Sequence, residues 1–227
     1  MWKLEINTIN NVSEYLDVIR KRGFVCCYRG QTQDWPLIPS LGRLKNRKFL
    51  DGLLEIEEEI VEKFTQYSYP YLENKSISYF ECLIQTQHYG LPTRLLDFTL
   101  NPLIALYFAV EENIFNSEGV VWGIDEFGQT KIPSIDEDNI IFYAPAHTNN
   151  RIINQNSIFA VFPIKRYTEE IIPLESYNLR IFQKIIIPSN IKESIKKELD
   201  ILGINKMSVY PGIEGIVEKI KEELILK

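Results

Sequence analysis

The chain is poor in the residues that build most metal and redox centres. Its 227 residues include only three cysteines and two histidines. With His88 and His147 as the sole imidazoles, a multi-histidine metal centre is excluded, and no Cys-x-x-Cys pair or His-Glu-x-x-His run offers zinc spacing. No metal is therefore expected. Cys26, Cys27 and Cys82 form an odd set without a secretory leader, so a reducing, cytoplasmic location is expected rather than a disulfide framework. No apolar run approaches the ~20 residues that span a bilayer, so no membrane partner is expected. A Gly-x-Gly-x-x-Gly loop, a Walker loop and a Gly-x-Ser-x-Gly elbow are also missing. Basic excess is absent too. The formal charge is −6, which argues against a partner held mainly by phosphate electrostatics.

What remains is a chain 45% hydrophobic and 12% aromatic, enough to bury a sizeable core in one domain spanning 1–227. Apolar spacing predicts helices at Val12–Arg22, Asp51–Tyr67, Ile77–Gln87, Pro102–Glu112, Ser189–Leu202 and Ile213–Leu226. Strands are predicted at Phe24–Arg29, Gly119–Ile124, Ile140–Phe142, Ile158–Phe162, Leu179–Ile181 and Ile185–Ile187. Helices dominate the first half and strands gather in the second. That order predicts an α+β fold with helices clustered N-terminally around a mixed or antiparallel sheet.

Chemistry is concentrated in two places. The run Gln87-His88-Tyr89-Gly90-Leu91-Pro92-Thr93-Arg94-Leu95-Leu96-Asp97-Phe98-Thr99 sets polar groups against a core. Such groups must either satisfy one another or meet a ligand. Arg29 ends a predicted strand and is followed by Gly30 and Gln31. It can fork onto a phosphate or carboxylate that Gly30 lets approach the backbone, or pair internally with Asp97. An Arg94–Asp97 pair is a further alternative, as is a helix-capping role for Asp97. His88 either faces a helix C-terminal dipole or contacts ligand. Tyr28, Tyr89, Tyr107 and Phe108 are expected in the core. The basic clusters Arg20-Lys21-Arg22 and Arg43, Lys45, Arg47, Lys48 are expected on solvated surface.

Several of these stretches resemble one family. Tyr28-Arg29-Gly30-Gln31, then Trp35-Pro36-Leu37-Ile38-Pro39-Ser40-Leu41-Gly42-Arg43, then Gln87 to Ala109 are similar to the FRG domain, named for its Phe/Tyr-Arg-Gly motif. Arg151-Ile152, Gln155, Phe159, Leu202-Gly203-Ile204 and Tyr210-Pro211-Gly212-Ile213-Glu214-Gly215 extend the resemblance, which covers about 24–215. FRG domains are known mainly as bacterial domains of unassigned activity. The order of parts also resembles arginine-class ADP-ribosyltransferases: a strand arginine, a threonine turn, an Ala-x-x-Phe-Ala-like helix, then a strand. That resemblance implies that Arg29 grips the phosphates of NAD and that Thr93 begins the serine/threonine motif. Gln155 then stands where the catalytic glutamate is expected, and Arg94 departs from Ser-Thr-Ser.

The expected site therefore has Arg29, His88 and Gln155 in catalytic positions. Arg29, Gly30, Gln31, Thr93, Arg94 and Asp97 would bind a nucleotide, with NAD as cofactor and a protein or nucleic acid as acceptor. Since Gln155 cannot supply a negative charge to an oxocarbenium-like centre, a non-catalytic recognition module of a defence or regulatory system is the alternative. Nucleic-acid binding through Arg43, Lys45, Arg47 and Lys48 is a third reading, which requires a steep salt dependence.

Overall fold

The computed structural model describes residues 4–22, 27–45, 52–71, 78–112, 117–146 and 150–224. Phe24, Cys26, Arg47, Lys48 and His147 lie outside them. Strands β1 (Glu5–Thr8), β2 (Cys27–Gln31), β3 (Leu95–Thr99), β4 (Gly119–Ile124), β5 (Ile141–Tyr143), β6 (Ser157–Val161) and β7 (Ile181–Ile187) form one seven-stranded sheet. Its order is β1-β7-β4-β2-β3-β6-β5. The β1–β7 pair is parallel and every other pair is antiparallel. The fold is α+β with a mixed sheet.

The helices are α1 (Val12–Arg22), α2 (Leu53–Ser68), α3 (Tyr79–His88), α4 (Pro102–Val110), α5 (Asn150–Gln155), α6 (Lys192–Ile201), α7 (Lys206–Val209) and α8 (Ile213–Leu224). Strands β1 to β4 all precede α5, so strands are spread along the chain rather than gathered in its second half. Leu95–Thr99, read from the sequence as part of a polar turn, is a central strand. Leu96 and Phe98 pack in one apolar cluster and Leu95 in another, on the far side. A strand covered on both faces shows no clean alternation, which hid it.

One face of the sheet carries Val120, Trp122, Phe98 and Phe162 against Leu37, Leu41 and Leu53. The opposite face carries Tyr28, Val121 and Ile185 against α1, α4 and α6. Helix α4 starts cleanly, because the Asn101 side chain accepts from the Leu103 amide at 2.9 Å and Pro102 occupies the first turn. It then lies unusually close to the sheet. A Cβ on Gly30 of β2 would meet the Ala105 carbonyl oxygen at 1.8 Å, and one on Gly119 of β4 would meet the Ala109 carbonyl oxygen at 2.3 Å. Gly30 therefore serves close helix–sheet contact, a role the sequence reading did not give it. Ala105 and Ala109, one turn apart, are the complementary small residues on the helix.

The sheet is unevenly paired. β2 and β4 match over five residue pairs and β3 and β6 over five, but β2 and β3 share only Tyr28↔Thr99. Beyond that pair the two strands part company. Because no side chain of α4 can yield to a methyl on Gly30, Gly30→Ala forces backbone movement. It is expected to destabilise the fold by roughly 3 kcal/mol, read as a lower urea midpoint at unchanged m-value.

Candidate functional site

Arg29 lies where the β2–β3 ladder stops. Its Nη1 donates to the Asp97 backbone carbonyl at 2.8 Å, bridging strands that no longer pair. Its Nε donates to Gln31 Oε1 at 3.1 Å, and Gln31 Nε2 donates in turn to the Trp35 carbonyl at 2.7 Å. Arginine, glutamine and tryptophan are thus one connected unit. The Asp97 partner is a carbonyl and not the carboxylate, so the Arg29–Asp97 ion pair considered from the sequence does not form. Burial lowers the Arg29 pKa to about 10, against the upward pull of Asp97 and with a further downward push from Arg43. At neutral pH it remains a cation, with guanidinium N–H groups that no carboxylate meets among the described residues.

Those groups border a cavity of about 320 Å³ whose polar lining includes Arg29, Gln31, Arg43, Asp97, Arg151 and Gln155. Tyr28, Trp35 and Phe108 supply aromatic wall, and Glu111 and Glu112 a carboxylate rim. A smaller cavity of about 100 Å³ shares Asp97, Arg151 and Gln155 with it and adds Gln87 and His88. The two adjoin at these shared residues and are together called the trench, with the cavities as its arms. Among the described residues, Arg29, Arg43 and Arg151 make no ion pair. Two of the facing carboxylates are already engaged. Gln87 Nε2 donates to both Asp97 oxygens at 2.8 Å. Glu111 pairs with Lys206 at 2.6 Å and accepts from the Tyr210 hydroxyl at 2.9 Å. Burial, and then Glu111, raise the Tyr210 pKa, so its hydroxyl stays a donor. Arg151 rests over the Tyr210 ring at 5.5 Å.

Thr93 belongs to the frame behind the trench. Its hydroxyl donates to Gln87 Oε1, its amide donates to Ser40 Oγ at 3.1 Å, and its carbonyl accepts from the Leu41 amide at 3.1 Å. It is fully buried and lines neither arm. Through it the Ser40 loop, the end of α3 and β3 are tied together.

Arg94 also departs from expectation. Only 1% exposed, it turns to the other side of the strand and pairs with fully buried Glu57 of α2. Nε meets Glu57 Oε2 at 2.5 Å, and the Arg94 amide meets Oε1 at 2.7 Å. Neither an Arg94–Asp97 pair nor a helix cap from Asp97 exists, and Asn101 caps α4 instead. Burial pushes the Glu57 carboxyl up against the opposing pull of Arg94.

His88 is exposed in the last turn of α3, edge-on to Tyr89, and borders only the smaller arm. Gln155 ends α5 and borders both arms, with its Nε2 donating to the Val209 carbonyl at 3.2 Å. The expected residues Arg29, Gly30, Gln31, Asp97 and Gln155 are gathered, His88 lies at one end, and Thr93 and Arg94 stand outside. Sequence reasoning missed Trp35, Phe108, Glu111, Glu112 and Arg151 as lining residues and placed Arg43 on open surface. Trp35, Arg43 and Arg151 sat inside family-like stretches, which was a usable signal. The two glutamates carried none.

Residues 25–117 match the FRG domain family. The stretches from Arg151 to Phe159 and from Leu202 to Gly215 lie beyond the matched residues. No curated protein matches the chain. No solved structure matches it.

The two arginines next to β3 should separate in a stability experiment. Breaking the buried Arg94–Glu57 pair by Arg94→Met is expected to cost about 3–5 kcal/mol. Combining it with Glu57→Leu should recover much of that loss. Arg29→Met should change the urea midpoint far less, because it removes a desolvated cation that no carboxylate bonds directly among the described residues.

Proposed function

For a chain that carries an FRG domain over residues 25–117, we propose binding of a phosphate-bearing nucleotide in the trench, with Arg29 on the phosphates. NAD is the specific ligand put forward. One observation carries this reading. A half-buried arginine at a break in the sheet, bonded to a carbonyl and an amide, borders a cavity of about 320 Å³ with two further arginines that make no ion pair among the described residues. A desolvated cation of this kind is stabilised by an incoming anion, and the volume falls at the lower end of small-molecule sites, roughly 300–1,000 Å³. Trp35 and Phe108 offer apolar surface for a ring beside the cations.

Glycosyl transfer from NAD is the catalytic form of the proposal, consistent with the element order that resembles ADP-ribosyltransferases. It needs a negative charge beside the ribose. Gln155 supplies none, and its amide nitrogen is held by the Val209 carbonyl. Glu112, exposed on the trench rim, is the carboxylate for which no bond is formed among the described residues. The held Gln155 amide favours a second reading, a recognition module that binds a nucleotide without consuming it in a defence or regulatory system.

Calorimetric titration of NAD tests the binding claim, and product analysis of the same samples separates the two forms. Arg29→Met is expected to weaken binding roughly tenfold or more, since a charge-assisted hydrogen bond is worth ~1.5–3 kcal/mol. Absence of heat with wild-type protein overturns the proposal. Nicotinamide release abolished by Glu112→Gln supports catalysis, whereas binding without release supports recognition. Affinity should hold between pH 7 and pH 9 and fall as the pH passes about 10, where Arg29 loses its proton.

A further inference from the structure

The trench does not end at Trp35. On its far side lies a cavity of about 480 Å³, walled by Pro36, Ile38, Gly42 and Leu44 and edged by Lys45. Trp35 and Arg43 line both this cavity and the one over Arg29. They form the partition between the two.

The partition is held from behind. The Trp35 carbonyl accepts from Gln31 Nε2 at 2.7 Å, and the same Gln31 accepts from Arg29 Nε at 3.1 Å. Tryptophan and arginine are therefore fixed relative to each other, although Trp35 is 42% exposed. The loop behind it is compact. A Cβ on Gly42 would approach Ile38 Cγ2 at 2.7 Å and Ile171 Cβ at 3.0 Å. The Leu37 amide is anchored to Glu175 Oε1 at 3.0 Å. The far cavity is largely apolar, while Arg43 and Lys45 at its edge are exposed and make no ion pair among the described residues.

An apolar slot beside an exposed indole suits a planar ring, because stacking is worth roughly 1–3 kcal/mol per base. Two cations at its mouth suit a negatively charged linker. We infer that the cavity beyond Trp35 is a second ring subsite, so that the ligand is a two-ring dinucleotide. Its linking phosphates lie between Arg29 and Arg43, and its rings occupy the cavities on either side of the Trp35–Arg43 partition. This assignment rests on the nucleotide reading above and adds a division of labour: Arg29 serves any phosphate, whereas Leu44 and Lys45 serve only a ligand with a second ring.

The test compares AMP, NAD and a short single-stranded oligonucleotide by calorimetry on wild-type protein and two variants. Leu44→Trp fills the far cavity, and Lys45→Glu reverses charge at its edge on an exposed position where folding is not at stake. NAD is expected to bind wild type at least tenfold more tightly than AMP. Either variant should bring NAD down towards the AMP level and leave AMP within about twofold, given the stacking energy of one ring. NAD binding that ignores both variants but is lost in Arg29→Met overturns the second subsite and leaves the nucleotide reading standing. No binding of AMP or NAD overturns both. An oligonucleotide that binds more tightly than NAD, with affinity falling steeply in salt, also overturns the dinucleotide assignment.

Discussion

Everything in this fold depends on how near α4 lies to the sheet. The carbonyls of Ala105 and Ala109 occupy the space where side chains of β2 and β4 would stand, and Gly30 and Gly119 are the residues that yield it. That contact fixes β2 beneath the helix and leaves Arg29, one position earlier, pointed to the region where β2 and β3 diverge. A glycine next to an arginine that borders a cavity invites a direct functional explanation. Here its function is exercised through packing: the small residue sets the depth of the helix, and the helix sets the wall of the trench, since Phe108, Glu111 and Glu112 follow from the same segment.

Two buried or half-buried arginines show how context assigns opposite tasks to one side chain. Arg94 has a carboxylate within 2.5 Å and forms part of the interior of the protein. Arg29 has a carbonyl and an amide, and its charge is balanced only at a distance. The first arrangement stabilises a fold when both partners are present and becomes costly when one is lost. The second keeps electrostatic potential available at a cavity, at some cost to stability, which is the arrangement expected of a site.

Much of this was legible beforehand. Helical spacing located α1, α3, α4 and α6 closely, and the density of polar groups around Arg29 and Gln87–Asp97 pointed to one place, although they lie far apart in the chain. The failures have physical causes. β3 was invisible because a strand buried on both faces loses the period of two. Arg94 was misassigned because its partner, Glu57, lies 37 residues away on another element, and only the packing of α2 turns that carboxylate inward. Thr93 was placed in the site because it stands where the serine/threonine motif of the ADP-ribosyltransferase resemblance begins, while its hydrogen bonds go to Ser40, Gln87 and the backbone. Glu111 and Glu112 escaped notice because a helix end carries no sequence mark of facing a cavity.

The strand order also has a temporal consequence. β3 finds its ladder partner only at residues 157–161, and β1 finds its own at 181–187. Contacts so distant along the chain close slowly, and apart from the single Tyr28↔Thr99 pair those strands wait for the later segments. During synthesis, Arg29 and Trp35 emerge well over a hundred residues before Arg151 and Gln155, which complete the trench. The family-matched segment, residues 25–117, leaves the ribosome before any trench exists, so Arg29 and Trp35 wait for walls that only the later segments supply.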